Sequence, residues 1–403
     1  MEIKNIKAYK AYDSRNKETI KVEISFNSDK VFAIAPNGTS KGKKEARDFS
    51  IKGIDYSIEL VNKIGKEIID RKIAIENFYD LEKIEEIIRK YDNSDNFMII
   101  GGNSVYALEA ALIKAFAKIN EVEPWQFLAK TKPRVPRPIG NCIGGGKHIE
   151  ARKKPEFQEF LIIPKTKRFF EAYFIMQQAY KKAKELLERI GKFSGMVTIE
   201  NALVPLMDNE EILDLLIEVK ENIKENFGIT IDLGIDVAAS SFYKNNVYEY
   251  KTKMQKLNAS RQLSYIADLI EKYKLFYVED PFEENDFTNF SKLRSKVNAL
   301  IVGDDLTVTN PELIKHAIDK KAINAVIIKP NQVGSLIKTK QAVDIAKKNG
   351  INCVISHRSG ETIDAFIADL AIAWSLPFIK AGIVGKEREA KLRRIVAIEK
   401  YLI

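Results

Sequence analysis

The stretch Val354-Ile355-Ser356-His357-Arg358-Ser359-Gly360-Glu361-Thr362 decides how this chain is read. An apolar run stops at Ser356. A histidine, an arginine, a serine and a glutamate follow at once. The run has strand length and little polar alternation, the pattern of a strand buried on both faces. The chain has only three histidines, and one of them stands where this strand ends.

Working outward, the same grammar recurs. Apolar runs cover residues 230–236, 274–280, 298–305, 324–330, 351–357 and 377–382, and amphipathic helical stretches separate them. Such alternation means a parallel sheet covered on both faces. Each run ends at or near a residue able to do chemistry: Asp236, Glu279, Asp304, Lys329, His357 and Lys380. The intervals between them are 43, 25, 25, 28 and 23 residues. Four of the five fit one unit of a (β/α)₈ barrel, which spreads about 250 residues over eight units and carries its active site at the strand C-terminal ends. Any one of these residues alone reads better as a helix cap or a surface group. Six in succession do not. Helix punctuation agrees: Asn310-Pro311-Glu312 places a capping residue before a proline, and Lys348-Asn349-Gly350 a glycine past a helix end.

Upstream the pattern differs. Residues 1–14 and 19–28 alternate like antiparallel strands. A third strand leads into the Gly-, Ser- and Lys-rich loop Pro36–Glu45. Helical patterns follow over about 57–77, 79–91 and 104–120. Three prolines within residues 130–141 read as a linker. The expected division is a small α+β domain over 1–130 and a barrel over 131–403.

Composition bounds the function. Of the 403 residues, 45% are hydrophobic, ordinary for a globular chain. No apolar run is long enough to span a bilayer. Met1 to Lys7 carries charges where a signal peptide needs an apolar block, so a cytoplasmic location is expected. Cys142 and Cys353 are far apart and read as free thiols. The net charge of +9 comes from lysines interspersed with acids, a solvated surface. A nucleic-acid partner is not expected. The clusters Lys41 to Lys44 and Arg152 to Lys154 would also suit a small anionic substrate.

The chemistry follows from the residue types. Asp236, Glu279 and Asp304 are carboxylates on successive strand ends. They would repel one another without a cation, and their hard oxygens suit Mg²⁺. Lys329 and Lys380 lie further round the mouth. Two such ammonium groups lower each other's pKa, which would let one act as a base; simple substrate clamping is the other reading. Arg358 and Ser359 are suited to phosphate oxygens. A metal facing a lysine suits proton abstraction beside a carboxylate.

Eight motifs carry a resemblance: Tyr12-Asp13-Ser14-Arg15, Gly144 to His148, Gln158 to Pro164, Gly234 to Ser240, Val278 to Phe287, Ile301 to Pro311, Ile328 to Ser335 and Ser356 to Thr362. Together they resemble the enolases, the phosphopyruvate hydratases of glycolysis and gluconeogenesis, over essentially the whole chain. The resemblance implies a barrel of the ββαα(βα)₆ kind behind an α+β domain. It implies Mg²⁺-dependent dehydration of 2-phosphoglycerate to phosphoenolpyruvate, with a second Mg²⁺ arriving with substrate. It further implies that Asp236, Glu279 and Asp304 bind the first ion and Ser40 the second. Lys329 would take the C2 proton. Glu200 would act as acid on the C3 hydroxyl, assisted by Glu159. His148, His357 and Lys380 would contact substrate, and Arg358 and Ser359 would hold its phosphate. A homo-oligomer, dimer or octamer, is implied as well. The chain departs from the family in three places: Lys41 in the loop, a longer basic segment between His148 and Glu159, and Thr198-Ile199-Glu200-Asn201-Ala202 where the family has glycines around its acid. Two alternatives stay open: a lyase acting on another carboxylate, and a binding protein without catalysis.

Overall fold

The computed structural model describes residues 3–26, 29–38, 44–148 and 154–402. The N-terminal strands Asn5–Tyr12, Glu18–Ser25 and Lys30–Ile34 form an antiparallel sheet. Helices Ile54–Asp70, Leu81–Tyr91 and Gly102–Ile119 follow. The first helix ends earlier than its apolar pattern suggests, because Lys72 enters the left-handed region at φ 50°. The third is buried nearly all round, between the N-terminal sheet and the barrel.

Eight strands close the barrel: Arg137–Gly144, Glu159–Pro164, Ile231–Asp236, Tyr277–Glu279, Leu300–Gly303, Ala325–Ile328, Asn352–Ser356 and Phe378–Lys380. The last pairs in parallel with the first. The second runs antiparallel to both neighbours, and two helices, Phe169–Arg189 and Asn209–Phe227, precede the third. Six β/α units complete the ring, which gives the ββαα(βα)₆ order. The proline-rich stretch is a linker only in part: from Arg137 it is already barrel strand, and Pro138 sits there opposite Ile379. Asn310 caps its helix through Glu312 and Leu313 N–H groups with Pro311 at the first turn, and Gly350 lies past a helix end at φ 70°.

The interior is filled by Ile139, Leu161, Ile163, Tyr277, Val302, Ala325, Ile327, Val354 and Phe378. Side chains alternate along a strand. Two residues beyond these inward positions come Asn141, Glu279, Asp304, Lys329, Ser356 and Lys380, so the chemical layer continues the same inward register. The second strand runs the other way, and its first residue, Glu159, therefore reaches the mouth, opposite Asp236. Cys142 and Cys353 are buried free thiols.

Candidate active site

The strand ends converge on a narrow cleft lined by Glu159, Glu200, Asp236, Asp304, Lys329, His357, Arg358 and Lys380, among others. Its carboxylates and ammonium groups are interleaved. Lys380 Nζ lies 2.8 Å from both Glu159 Oε2 and Glu279 Oε2 and 3.2 Å from Asp236 Oδ2. Lys329 pairs closely with Asp304, whose other oxygen accepts from Gln332 at 3.0 Å. Glu279 rests on Tyr277, whose hydroxyl donates to it at 2.5 Å. The depression of Lys329 by Lys380 expected from sequence is present but outweighed. Burial pushes both ammonium groups down, but Asp304 for Lys329, and Glu159, Glu279 and Asp236 for Lys380, override it and hold them above the usual range. The carboxylates stand closer to each lysine than the lysines' mutual repulsion can offset.

Could these residues hold a divalent cation? Glu279 Oε1 is fully buried with no hydrogen-bond partner, and burial followed by Asp236 raises its carboxyl to about 7. An orphaned hard oxygen beside a second carboxylate fits such an ion. Two compact clusters also exist: Asp280, Asp304 and Asp305, and His148, Glu159 and Glu200, each with one ligand atom per residue within 4.8 Å of the others. Asp236 and Glu279 belong to neither cluster, and both contact the Lys380 ammonium group.

Glu200 sits in the turn between strands Phe193–Val197 and Leu203–Pro205 and is buried, not a solvated loop acid. Thr198 builds the turn, its hydroxyl accepting from the N–H groups of Glu200 and Ala202. Asn201 takes the left-handed conformation at φ 64°, which asparagine tolerates better than most residues. The turn is thus made without glycine. Glu200 lies 3.5 Å from His357 Nε2 and 3.8 Å from His148 Nε2. The two neighbouring carboxyls are driven apart. Burial, with only partial relief from Lys380, holds Glu159 well above the usual range. Burial also opposes ionisation of Glu200, but the facing His148 and His357, followed by Arg388 and Lys380, hold its carboxyl well below the usual range. His148 and His357 are both held down, chiefly by burial.

Arg358 is buried and shared. It donates to Glu45 Oε2 at 2.8 Å and Asn331 Oδ1 at 3.2 Å. The N-terminal strap passes directly over it: a Cβ on Gly38 would lie 1.9 Å from its guanidinium. Asn37 and Gly360 exchange backbone hydrogen bonds at 2.7 and 2.8 Å, so the strap is stitched to the turn holding Ser359. Ser14 N–H donates to the Glu361 carbonyl at 2.7 Å, which places the Tyr12-Asp13-Ser14-Arg15 motif behind that turn. Ser40 and most of the basic segment before Glu159 lie outside the described residues.

Comparison with known proteins agrees with this architecture. Residues 3–128 match the family description "Enolase, N-terminal domain", and residues 132–403 match "Enolase, C-terminal TIM barrel domain". A protein named Enolase from Archaeoglobus fulgidus is 37% identical, with 100% of this chain and 98% of the relative covered. The chain belongs to the enolase family. An Enolase from Methanosphaera stadtmanae is 37% identical over 100% of the chain and 97% of its own length, and one from Picrophilus torridus 35% over 100% and 99%.

Several residues in and behind the cleft of this enolase-family chain escaped the sequence reading. Glu45 and Gln332 line the cleft, and Asn141 and Arg388 stand behind it against Glu200 and His357. Asn141 donates to Glu200 Oε2 at 3.4 Å. It sits in the inward register of its strand, and that signal could have found it. Glu45 comes from the other domain, and Arg388 from a charged helix, where spacing along the barrel gives no signal.

Proposed function

We propose that this enolase-family enzyme is a phosphopyruvate hydratase, reversibly dehydrating 2-phosphoglycerate to phosphoenolpyruvate in glycolysis and gluconeogenesis. The observation that carries the reading is an opposition. Lys329 follows the sixth barrel strand and Glu159 begins the second, four places away in a closed ring of eight, and Glu200 lies beside Glu159. A base and a carboxyl pair thus face one another across a single buried cleft. Removing a proton from one carbon and a hydroxyl from its neighbour needs that separation.

Lys329 takes the C2 proton. It must first lose its own, so ligand binding has to relax its pairing with Asp304. Glu200 must first take up a proton, and the neighbouring Glu159, which burial keeps protonated, is the group that can supply it. That proton goes to the departing C3 hydroxyl, which leaves as water. Arg358 and Ser359 hold the phosphate, and His148, His357 and Lys380 contact the substrate. Asp236, Glu279 and Asp304 are the residues that would hold Mg²⁺, which when bound supplies charge stabilisation beside the substrate carboxylate. A second Mg²⁺ is assigned to Ser40. No helix among the described residues is long and apolar enough to cross a membrane. The reading places the enzyme in the cytoplasm as a homo-oligomer, dimer or octamer, in keeping with exposed apolar side chains such as Tyr12 and Ile51.

The test is formation of phosphoenolpyruvate from 2-phosphoglycerate with Mg²⁺. Turnover that stops on chelation and returns with Mg²⁺ is expected. No turnover of 2-phosphoglycerate, with dehydration of another hydroxycarboxylate, would overturn the reading.

A further inference from the structure

Helix Lys386–Leu402 carries the charge-dense run Lys386-Glu387-Arg388-Glu389-Ala390-Lys391. Arg388 and Lys391 nevertheless are each only 1% exposed. Lys391 bonds the Thr362 carbonyl and pairs with Glu361 at 2.5 Å. Arg388 reaches further into the mouth. Its Nη1 lies 3.1 Å from His357 Nδ1 and donates to the Arg358 carbonyl at 2.6 Å. Its Nη2 donates to the Ser359 carbonyl at 2.7 Å and reaches the Ile199 carbonyl at 3.5 Å.

We propose that Arg388 is a positioning residue for the reaction, fixing His357 as the Nε2–H tautomer and clipping the anion-binding turn to the turn that carries Glu200. A guanidinium has N–H donors and no acceptor. His357 Nδ1 must therefore accept, and a neutral ring then carries its single proton on Nε2. That nitrogen is buried without a hydrogen-bond partner, and Glu200 Oε2 lies 3.5 Å away. The ring therefore presents one N–H donor to the cleft. Burial first and Arg388 second keep the imidazole well below its usual range, with Lys380 and Lys329 adding to them against Glu200. His357 is thus a fixed neutral donor to a substrate oxygen. The backbone contacts do the second job. Arg358, Ser359 and Ile199 offer their carbonyls to one planar group, so the phosphate-holding residues and Glu200 share a common support. This inference assigns a role beyond the residues placed above, and it rests on the proposed dehydration only for its kinetic arm.

The first measurement leaves Arg388 in place. With three histidines in the chain, ¹⁵N-histidine labelling of the full-length protein gives three ring systems, and His357→Gln identifies the signal of interest. The ligand-free protein at neutral pH should show His357 with an unprotonated Nδ1 and a protonated Nε2. A protonated Nδ1, in either the other tautomer or the imidazolium, overturns the proposal whatever the protein catalyses. The second arm compares Arg388→Met with Arg388→Lys. The methionine variant should mix the two tautomers and lose kcat by on the order of 10–100-fold, the scale for partners that orient an active-site group. The lysine variant, which keeps one donor, should recover both the tautomer and much of kcat. Lost kcat with an unchanged tautomer in Arg388→Met would mean that the residue acts only through the backbone, and would overturn the role assigned to it at His357.

Discussion

Glu45 of the N-terminal domain and Arg358 of the barrel form an ion pair at 2.8 Å, each side chain only 4% exposed. The pair ties the two domains together at the cleft and occupies the group assigned to the phosphate. A phosphorylated ligand must therefore share Arg358 with Glu45. Glu45→Gln removes the partner and leaves a buried charge, which should destabilise the ligand-free protein by roughly 3–5 kcal/mol. Phosphoenolpyruvate should restore part of the loss. The thermal shift produced by the ligand should then be larger in the variant than in the parent. Equal shifts would mean that Glu45 and ligand do not compete.

Arg358→Lys keeps the charge and loses the planar fork, which is not a conservative change at a phosphate site. Phosphoenolpyruvate binding should weaken by about 1–3 kcal/mol, the scale of a charged hydrogen bond. An unphosphorylated analogue should lose much less. The ratio of the two affinities, measured by calorimetry, decides the matter. An unchanged ratio would make Arg358 purely a domain clamp.

Asp304→Asn removes one charge from the residues assigned to Mg²⁺ and also frees Lys329 from its ion pair. Activity should fall by more than about 100-fold, beyond the effect of losing an outer partner of a metal site. Mg²⁺ titrations followed by calorimetry should shift to weaker binding. Superimposable titrations for variant and parent would remove Asp304 from the site.

Glu109 makes a prediction about pH. Its carboxyl is fully buried, accepts from Leu336 N–H at 2.6 Å, and is held well above 4.5, first by burial and then by Glu85. A raised folded value means the proton is bound more tightly when folded. The stability it contributes is complete below about 4.5, the unfolded value, and is lost as pH rises towards the folded one. A glutamine at this position does not titrate and carries no such dependence. The Tm of Glu109→Gln relative to the parent should therefore climb between about pH 5 and pH 8. A constant difference would show that Glu109 is ionised in the folded protein.

What was legible in the sequence follows from periodicity. Strand-end chemistry at Asp236, Glu279, Asp304, Lys329, His357 and Lys380 repeats with the β/α unit, and each residue lies at the mouth. Glu159 breaks the rule, because its strand is reversed and it enters from the strand's start. Only the motif around it pointed there. Glu200 lies on a hairpin outside the ring, and Thr198 and Asn201 supply by hydroxyl and asparagine what glycines would have supplied. Glu45 and Arg388 were not legible, since burial of a charge inside a charged helix or a lysine-rich strap is settled by tertiary contacts alone. The ionisation of Lys329 was misjudged for a related reason: pairing with Asp304 outweighs repulsion from Lys380, and pairing depends on rotamers that spacing does not reveal.

The central claim is that Lys329 and Glu200 act on different bonds from opposite sides of the cleft. The direct measurement is NMR of 2-phosphoglycerate in ²H₂O with Mg²⁺, following deuterium at C2 and phosphoenolpyruvate together. Glu200→Gln should keep exchange at C2 while dehydration falls by about 10²–10⁴-fold, the usual worth of a general acid. Lys329→Met should lose both. Dehydration at the parent rate in Glu200→Gln, or C2 exchange that survives in Lys329→Met, would contradict the account.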